Sequence, residues 1–459
     1  MKRRTIGAAT GIVAAFVVLL LPRIEGLDSS GQSVVAIIVM AVIFWATDVL
    51  NAGITAVLTL GLLLAARVPA SVALGGFSSS AFWIVVSVLF FGRAMDKTGL
   101  ARRIAYRILR TFRPSYAGIL FAFMIIGFIL ALGIPSMTVR TAIMVPIAWA
   151  LVKALDLPPR SRGSALVVLT TFEMAVLPGC AILTGSLWGP FLTGLFANEK
   201  IPITWLGYAS VMAVPTLVLC LLLVVVNRLI VKPEKELDVE RGFIDGEIKK
   251  LGPMSRPEMA TALIVALSLA AWATQALHHV PSEAIGMMAL TALFATSVLE
   301  PPEIATGIPW HLALFIGGAL SLAAVMTHYK INAWLAGYIV SALKPAAGLP
   351  LAVILLIAVG VMVMRLVEPI GFITLAAFFL ALAGAAQDWG IHPLVLAGTI
   401  VLPLHVFWFN YHNIWITMTE GITQQAAYAD RDRKRLATAF MVVIIITLII
   451  SAGYWKLIF

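Results

Sequence analysis

The chain has 459 residues, 61% hydrophobic and 12% charged, with a mean hydropathy of +1.01 and a formal net charge of +10. A soluble domain carries roughly 45–50% apolar and about 25% charged residues, so these figures exclude an ordinary soluble enzyme, a disordered chain and a collagen-like fibre. They leave an all-α polytopic membrane protein, because the apolar runs are unbroken where an outer-membrane barrel would alternate over about ten residues.

A membrane-spanning helix needs about 20 mostly apolar residues, and about 17 suffice. In chain order the candidate runs are 5–22, 31–49, 52–67, 79–98, 115–133, 138–155, 163–197, 205–231, 257–277, 283–299, 307–327, 349–367, 370–387, 393–425 and 434–457. The first follows Met1-Lys2-Arg3-Arg4. No small-x-small cleavage site follows it, so it reads as a retained helix rather than a signal peptide. Leu100–Phe112, with Arg102, Arg103, Arg107 and Arg110 at helical spacing, reads as an amphipathic helix at the cytoplasmic interface. The runs 163–197 and 393–425 are too long for one straight span. Each carries a polar break, Pro178 to Ser186 and Asn410 to Gly421, and reads as a discontinuous helix. The pairs within 115–155 and 349–387 are joined by short links, Gly133 to Met137 and Glu368 to Gly371. These are either tight turns between full spans or the tips of re-entrant hairpins. Cys180 and Cys220 sit in apolar runs and form neither a disulfide framework nor a metal site.

Charge arbitrates between those topologies. With both pairs re-entrant and the N-terminus cytoplasmic, the inner segments hold 23 Lys and Arg and the outer segments six. Such an asymmetry fixes orientation in membrane proteins and needs no nucleic-acid partner. The expected architecture is eleven transmembrane helices plus two re-entrant hairpins in the cytoplasmic (inner) membrane, with the C-terminus outside. Its parts are an N-terminal helix (1–30), a first repeat (31–231), a cytoplasmic linker (232–256) and a second repeat (257–459).

The repeat has its own support. Trp45-Ala46-Thr47 recurs as Trp272-Ala273-Thr274, and Trp83 recurs as Trp310, both 227 residues on; Pro135 pairs with Pro369 and Pro159 with Pro393 at 234. Each unit crosses five times, so the second copy is inverted. Inverted repeats with discontinuous helices belong to secondary transporters.

The chain resembles the divalent anion–sodium symporter family, carriers of dicarboxylates, citrate and sulfate, from about residue 31 onward. The similar stretches include Phe44-Trp45-Ala46-Thr47-Asp48, Met95 to Leu100, Ile182-Leu183-Thr184-Gly185-Ser186, Ile203-Thr204-Trp205-Leu206, Ile308-Pro309-Trp310 and Phe315 to Leu320. The family's first tip reads Ser-Asn-Thr; this chain has Ser136-Met137-Thr138-Val139-Arg140. The second tip keeps Glu368, but Pro369-Ile370-Gly371-Phe372-Ile373-Thr374 replaces the rest, and His405 to Asn413 occupies the second break. The resemblance implies a homodimer, an elevator-type shift of hairpins and broken helices, and a small anionic substrate. Both tip Asn residues are absent, so sodium coupling is left open and no other cofactor is expected.

Hairpin tips and helix breaks survive in lipid only where they line a cavity, and half-helix N-termini favour an anion. Ser136, Thr138 and Thr141 at the first tip either line such a site or only cap the helix. Thr184 and Ser186 stand at the first break, where Gly185 admits close approach to the backbone. Intramembrane charges are costly and usually functional. Arg140 is expected to offer a substrate carboxylate a bidentate fork. Arg365 and Glu368 either pair with each other or, with Gly371 and Thr374, line the second tip. Glu173 is a proton carrier or a partner for Arg140. His405 and His412, seven apart, are expected on one helical face, for hydrogen bonding or proton transfer; two His alone make no metal site. The aromatics Phe407 to Trp415 either pack or floor a pocket. The expected function is a secondary or facilitative carrier of small anions. An efflux permease of the arsenite-transporter type is the rival. A membrane-embedded enzyme would need a convergent catalytic set such as an HExxH helix, which the sequence lacks, as it lacks a P-loop.

Overall fold

The computed structural model describes residues 2–113, 115–234, 237, 242–366, 368 and 371–459, with no description of the Lys2 and Arg3 side chains. Pro369, paired above with Pro135, and Lys235 and Arg241 of the expected linker lie outside the described residues. Every regular element among the described residues is helical.

Short turns aside, the first half comprises α1 (Lys2–Leu20), α2 (Ser29–Thr47), α3 (Ala52–Ala65), α4 (Ser80–Lys97), α5 (Leu100–Thr111), α6 (Tyr116–Gly133), α7 (Met137–Ala154), α8 (Arg162–Val176), α9 (Trp188–Asn198) and α10 (Trp205–Ile230). The second comprises α11 (Gly242–Leu251), α12 (Arg256–Ala273), α13 (Ser282–Ala295), α14 (Trp310–His328), α15 (Ile331–Leu343), α16 (Pro350–Met364), α17 (Phe372–Asp388), α18 (Pro393–Val401), α19 (Ile414–Ile422) and α20 (Asp430–Ile458). Seven helices among the described residues are long and apolar enough to cross a membrane by themselves.

The helix starts are set locally. The first four N–H groups of a helix lack an internal acceptor, and Ser, Thr or Asp at the N-cap supplies one. Asp28 accepts from Gly31, Ser79 from Phe82, Ser115 from Gly118, Ser161 from Ser164 and Thr204 from Gly207.

The halves interlock. Helix α3 packs on α14, and α4 packs on α13. The repeated tryptophans make the same bond: Trp45 Nε1 donates to the Ala52 carbonyl and Trp272 Nε1 to the Ser282 carbonyl, both at 3.0 Å. Each ties one helix to the first residue of the next. From Gly163 on, helix α8 with its short continuation to Ala181 is buried, enclosed by α6, α7 and α10, and forms the core against which the first hairpin packs.

Two features differ from expectation. Arg103 on α5 does not face the interface with Arg102, Arg107 and Arg110. It is 5% exposed and pairs with Glu258 at 2.8 Å while donating to the Leu251, Gly252 and Pro253 carbonyls. The reason is α11, a helix inside the expected linker that docks on α5 with an Arg110–Asp245 pair at 2.9 Å. Helix α15 lies between the expected runs 307–327 and 349–367. It follows α14 as α5 follows α4, and packs on α17. Its thirteen residues are too few for a span and carry no arginine signature.

Candidate functional site

The hairpin tips meet the helix breaks in the interior, and at each meeting point lies an arginine. After α6 ends, Ile134-Pro135-Ser136 runs extended and Ser136 Oγ caps α7 by accepting from Val139 N at 3.3 Å. One turn on, Arg140 is fully buried. Its Nε donates to the Ala175 carbonyl at 2.7 Å, Nη1 to Ile134 at 2.5 Å and Gly185 at 2.6 Å, and Nη2 to Val176 at 3.2 Å. Ala175 and Val176 end α8, where the chain tightens into Leu177–Ala181 and frees its carbonyls. Arg140 therefore closes the first break and pins it to its own tip. The fork expected to face a carboxylate is occupied by backbone here, and no acidic side chain pairs with Arg140 among the described residues.

Glycine makes this cage possible. A Cβ at Gly179 would lie 2.3 Å from the Gly185 carbonyl oxygen and 2.4 Å from Arg140 Nη2. A Cβ at Gly185 would lie 2.6 Å from Ile182 and 2.8 Å from the Gly179 carbonyl oxygen. The close approach expected at Gly185 is thus made by the chain itself.

The second half repeats the device. Arg365, 3% exposed, gives Nε to the Leu404 carbonyl at 2.9 Å, Nη1 to the Glu368 carbonyl at 2.6 Å and Nη2 to the His412 carbonyl. The Glu368 carboxylate turns to the start of α17 and accepts from Gly371 N at 2.7 Å and from Thr374 Oγ1 at 2.8 Å. Gly371 has φ +93°, and a Cβ there would press on Trp188 at 3.0 Å. The two tips are therefore unequal. The N-terminus of α17 already holds a carboxylate; the N-terminus of α7 holds only a hydroxyl.

The breaks touch across the halves. Trp188 Nε1 donates to His405 Nε2 at 3.0 Å, and Cys180 Sγ is 3.8 Å from the same nitrogen. His405 Nδ1 lies 3.2 Å from the Leu402 carbonyl. That network fits a neutral ring with its hydrogen on Nδ1. His405 and His412 are not on one helical face. Leu402–His405 and Asn410–His412 are separate short turns divided by non-helical 406–409, because two freed sets of carbonyls, not one helix, surround Arg365. The His412 ring is buried and neither nitrogen has a partner.

The remaining expected residues divide. Thr138 is exposed and accepts from Trp415 Nε1 at 3.0 Å, whereas Thr141 bonds back to the Met137 carbonyl. Thr184 accepts from Trp205 Nε1 at 3.0 Å, and Ser186 Oγ is buried without a partner. Glu173 does not pair with Arg140. Its Oε2 accepts from Asn227 Nδ2 at 2.5 Å, while Glu173 Oε1 and Asn227 Oδ1 are buried without partners. Phe407 packs edge-on against Phe172 at 5.2 Å between ring centroids. Sequence reasoning gave no role to Gly179 or Trp188, and it placed Trp205 only in a family-like stretch and Trp415 only among the aromatics that pack or floor a pocket. Pro178-Gly179 flagged the break, but nothing local pairs Trp188 with a residue 217 positions on.

A family model described as the sodium:sulfate symporter transmembrane region matches residues 2–459. The chain is 26% identical over 358 residues to a membrane protein of Cupriavidus necator, covering 73% of this chain and 69% of that protein. It is 27% identical over 336 residues to the chloroplastic dicarboxylate transporter 1 of Arabidopsis thaliana, covering 71% of this chain and 59% of that one. In fold it is similar to the crystal structure of the Alcanivorax borkumensis YdaH transporter, with a TM-score of 0.58 at 13% identity, over 84% of this chain and 87% of that one.

Proposed function

The chain belongs to the divalent anion–sodium symporter family, and from that premise we propose that it is a secondary transporter of small anions of the dicarboxylate or sulfate kind whose buried positive charge is its own. The carrying observation is Arg140: a guanidinium at zero exposure, ringed by four carbonyls, with no acidic partner among the described residues. An uncompensated buried charge costs several kcal/mol, and a substrate anion supplies the missing countercharge. Carbonyl cages also bind alkali cations; here the guanidinium fills the cage. Met137 and Phe372 stand where the family's Asn oxygens would be and offer no hard ligand to sodium.

The anion would sit on the α7 side, near Ser136, Thr138, Thr184 and Ser186, because Glu368 occupies the α17 N-terminus. Arg140 would act on it through its field. Arg365, with Glu368 beside it, would hold the second break. A charge fixed to the protein does not move down a gradient with the substrate, so the expected behaviour is sodium-independent exchange or facilitated passage. Proton movement through Glu173 is the remaining coupling route. The same reading includes eleven spans and two hairpins in inverted repeats, an N-terminus inside, a homodimer, and an elevator shift of the hairpins and broken helices.

Uptake of a panel of labelled dicarboxylates, citrate and sulfate into proteoliposomes tests the reading, with and without Na⁺ and pH gradients. Steep Na⁺ dependence would defeat the internal-charge account, and absence of uptake and exchange for every anion would defeat the transport reading. Cysteines at Ala154 and Leu349, both exposed, should label from opposite faces of the membrane. Labelling from one face refutes the inverted arrangement.

A further inference from the structure

A basic cleft between the two halves and an apolar groove in the second adjoin on the protein surface. The cleft, about 690 Å³, is lined by Arg162, Ile230, Lys232, Arg431, Lys434 and Arg435. The groove, about 590 Å³, runs between α16 and α20 and is lined by Val359, Val363, Leu366, Phe409, Val442 and Ile445. Both are lined by Trp408 and Thr438, so the two adjoin at these residues. Trp408 Nε1 donates to Thr438 Oγ1 at 3.0 Å, and the Lys434 ammonium lies 5.5 Å above the indole. The indole therefore stands where charge gives way to hydrocarbon.

We propose that the adjoining cleft and groove bind one anionic glycerophospholipid, its phosphate among the basic side chains and an acyl chain in the α16–α20 groove. Charge selects the occupant. Lys434 and Arg435 have carboxylates nearby, Asp430 at 2.8 Å and Asp432 at 3.8 Å, but Lys232 and Arg431 form no ion pair among the described residues. A zwitterionic headgroup leaves that excess unmet, whereas a net negative one meets it; basic pockets between transmembrane helices take anionic headgroups on the cytoplasmic side. A soluble dianion would use the cleft but would leave the groove, almost wholly apolar, unused. Tryptophan at the headgroup level is the usual marker of this boundary.

The position gives the lipid a role. Leu366 follows Arg365 directly, and His412, which lines the groove, supplies a carbonyl to that arginine. An acyl chain in the groove therefore packs against the second arginine cage and bridges a hairpin arm to the last helix. The proposal rests on the proposed inward orientation only for which leaflet supplies the lipid.

Native mass spectrometry of the full chain, purified from membranes and equilibrated with equal phosphatidylglycerol and phosphatidylcholine, tests it without reference to orientation or transport. The parent should retain one phosphatidylglycerol in preference to phosphatidylcholine. Arg431→Gln with Arg435→Gln should lose that preference, about tenfold for each 1.4 kcal/mol of differential binding. Val442→Trp, which fills the groove from an exposed position, should weaken retention of both lipids. Free glycerophosphate in excess should not displace the bound lipid. Equal retention of the two lipids by the parent, or unchanged selectivity in the double variant, overturns the proposal. Displacement by glycerophosphate also overturns it and makes the cleft a soluble-anion vestibule.

Discussion

Removing the Arg140 side chain separates its two jobs, holding the first break and supplying charge. In Arg140→Ala the carbonyls of Ile134, Ala175, Val176 and Gly185 lose their donors. A buried carbonyl left unpaired costs about 1–3 kcal/mol, which bounds the loss at roughly 4–12 kcal/mol. Backbone relaxation and water entry reduce this toward roughly 3–5 kcal/mol, the cost typical of removing one member of a buried charged set. At about 2–4 °C per kcal/mol for a large domain, the melting temperature should fall on the order of 10 °C. Arg140→Gln is the discriminating variant, since its amide still donates two hydrogens but carries no charge. For a dianion about 8 Å away at an effective dielectric of about 20, the lost attraction is about 4 kcal/mol, on the order of a thousandfold in affinity. Thermal unfolding of purified protein measures the first effect and equilibrium binding of a labelled anion the second. Arg140→Lys should recover part of both. Free guanidinium, which can re-enter the emptied cage, should recover part of the Arg140→Ala loss. Near-parental anion affinity in Arg140→Gln would refute the charge argument, and a near-parental melting temperature in Arg140→Ala would refute the structural one.

Three further outcomes follow from the same geometry. Glu173→Gln keeps an acceptor for Asn227 Nδ2 and should keep stability within about 1 kcal/mol, a net hydrogen bond being worth that much. If Glu173 carries the coupled proton, uptake in that variant becomes independent of a pH gradient, and an unchanged pH response removes it from the pathway. Gly179→Ala must displace Arg140 or the Gly185 carbonyl, both under 2.5 Å from the new Cβ, and should lose transport while Gly75→Ala, in open space, does not; normal uptake in Gly179→Ala counts against the cage. Glu303 lies outside the spans, where burial pushes its carboxyl up but hydrogen bonds from Lys97, the Glu300 N–H and Arg93 outweigh this and hold it below the ordinary value. Its stabilisation is complete above the ordinary carboxylate pKa and is lost as pH falls through the lowered one. The melting-temperature gap between parent and Glu303→Gln should therefore narrow from neutral to acid pH, and a constant gap would contradict that sign.

Hydropathy, spacing and the polar breaks made the helical membrane class legible, together with both long interrupted runs and both tips, because a lipid solvent forces backbone satisfaction into runs of fixed length. The Trp45/Trp272 echo was legible too, and its meaning is local: each indole ties its helix to the first residue of the next by donating to that residue's carbonyl. What the side chains do was not legible. Arg140 and Glu173 lie on neighbouring helices, α7 and α8, and sequence could equally have paired them. Helix packing instead gave Arg140 to the Ala175 and Val176 carbonyls and Glu173 to Asn227. His405 and His412 kept helical spacing on paper, but the second break separates them into two turns. Arg103 and Arg107 share an Ala-x-Arg-Ile context one turn apart on α5, yet one is buried against Glu258 and the other exposed. Periodicity reports which face of an element is apolar. It does not report which carbonyls a distant break will free, and those unmet backbone groups decided where Arg140 and Arg365 went.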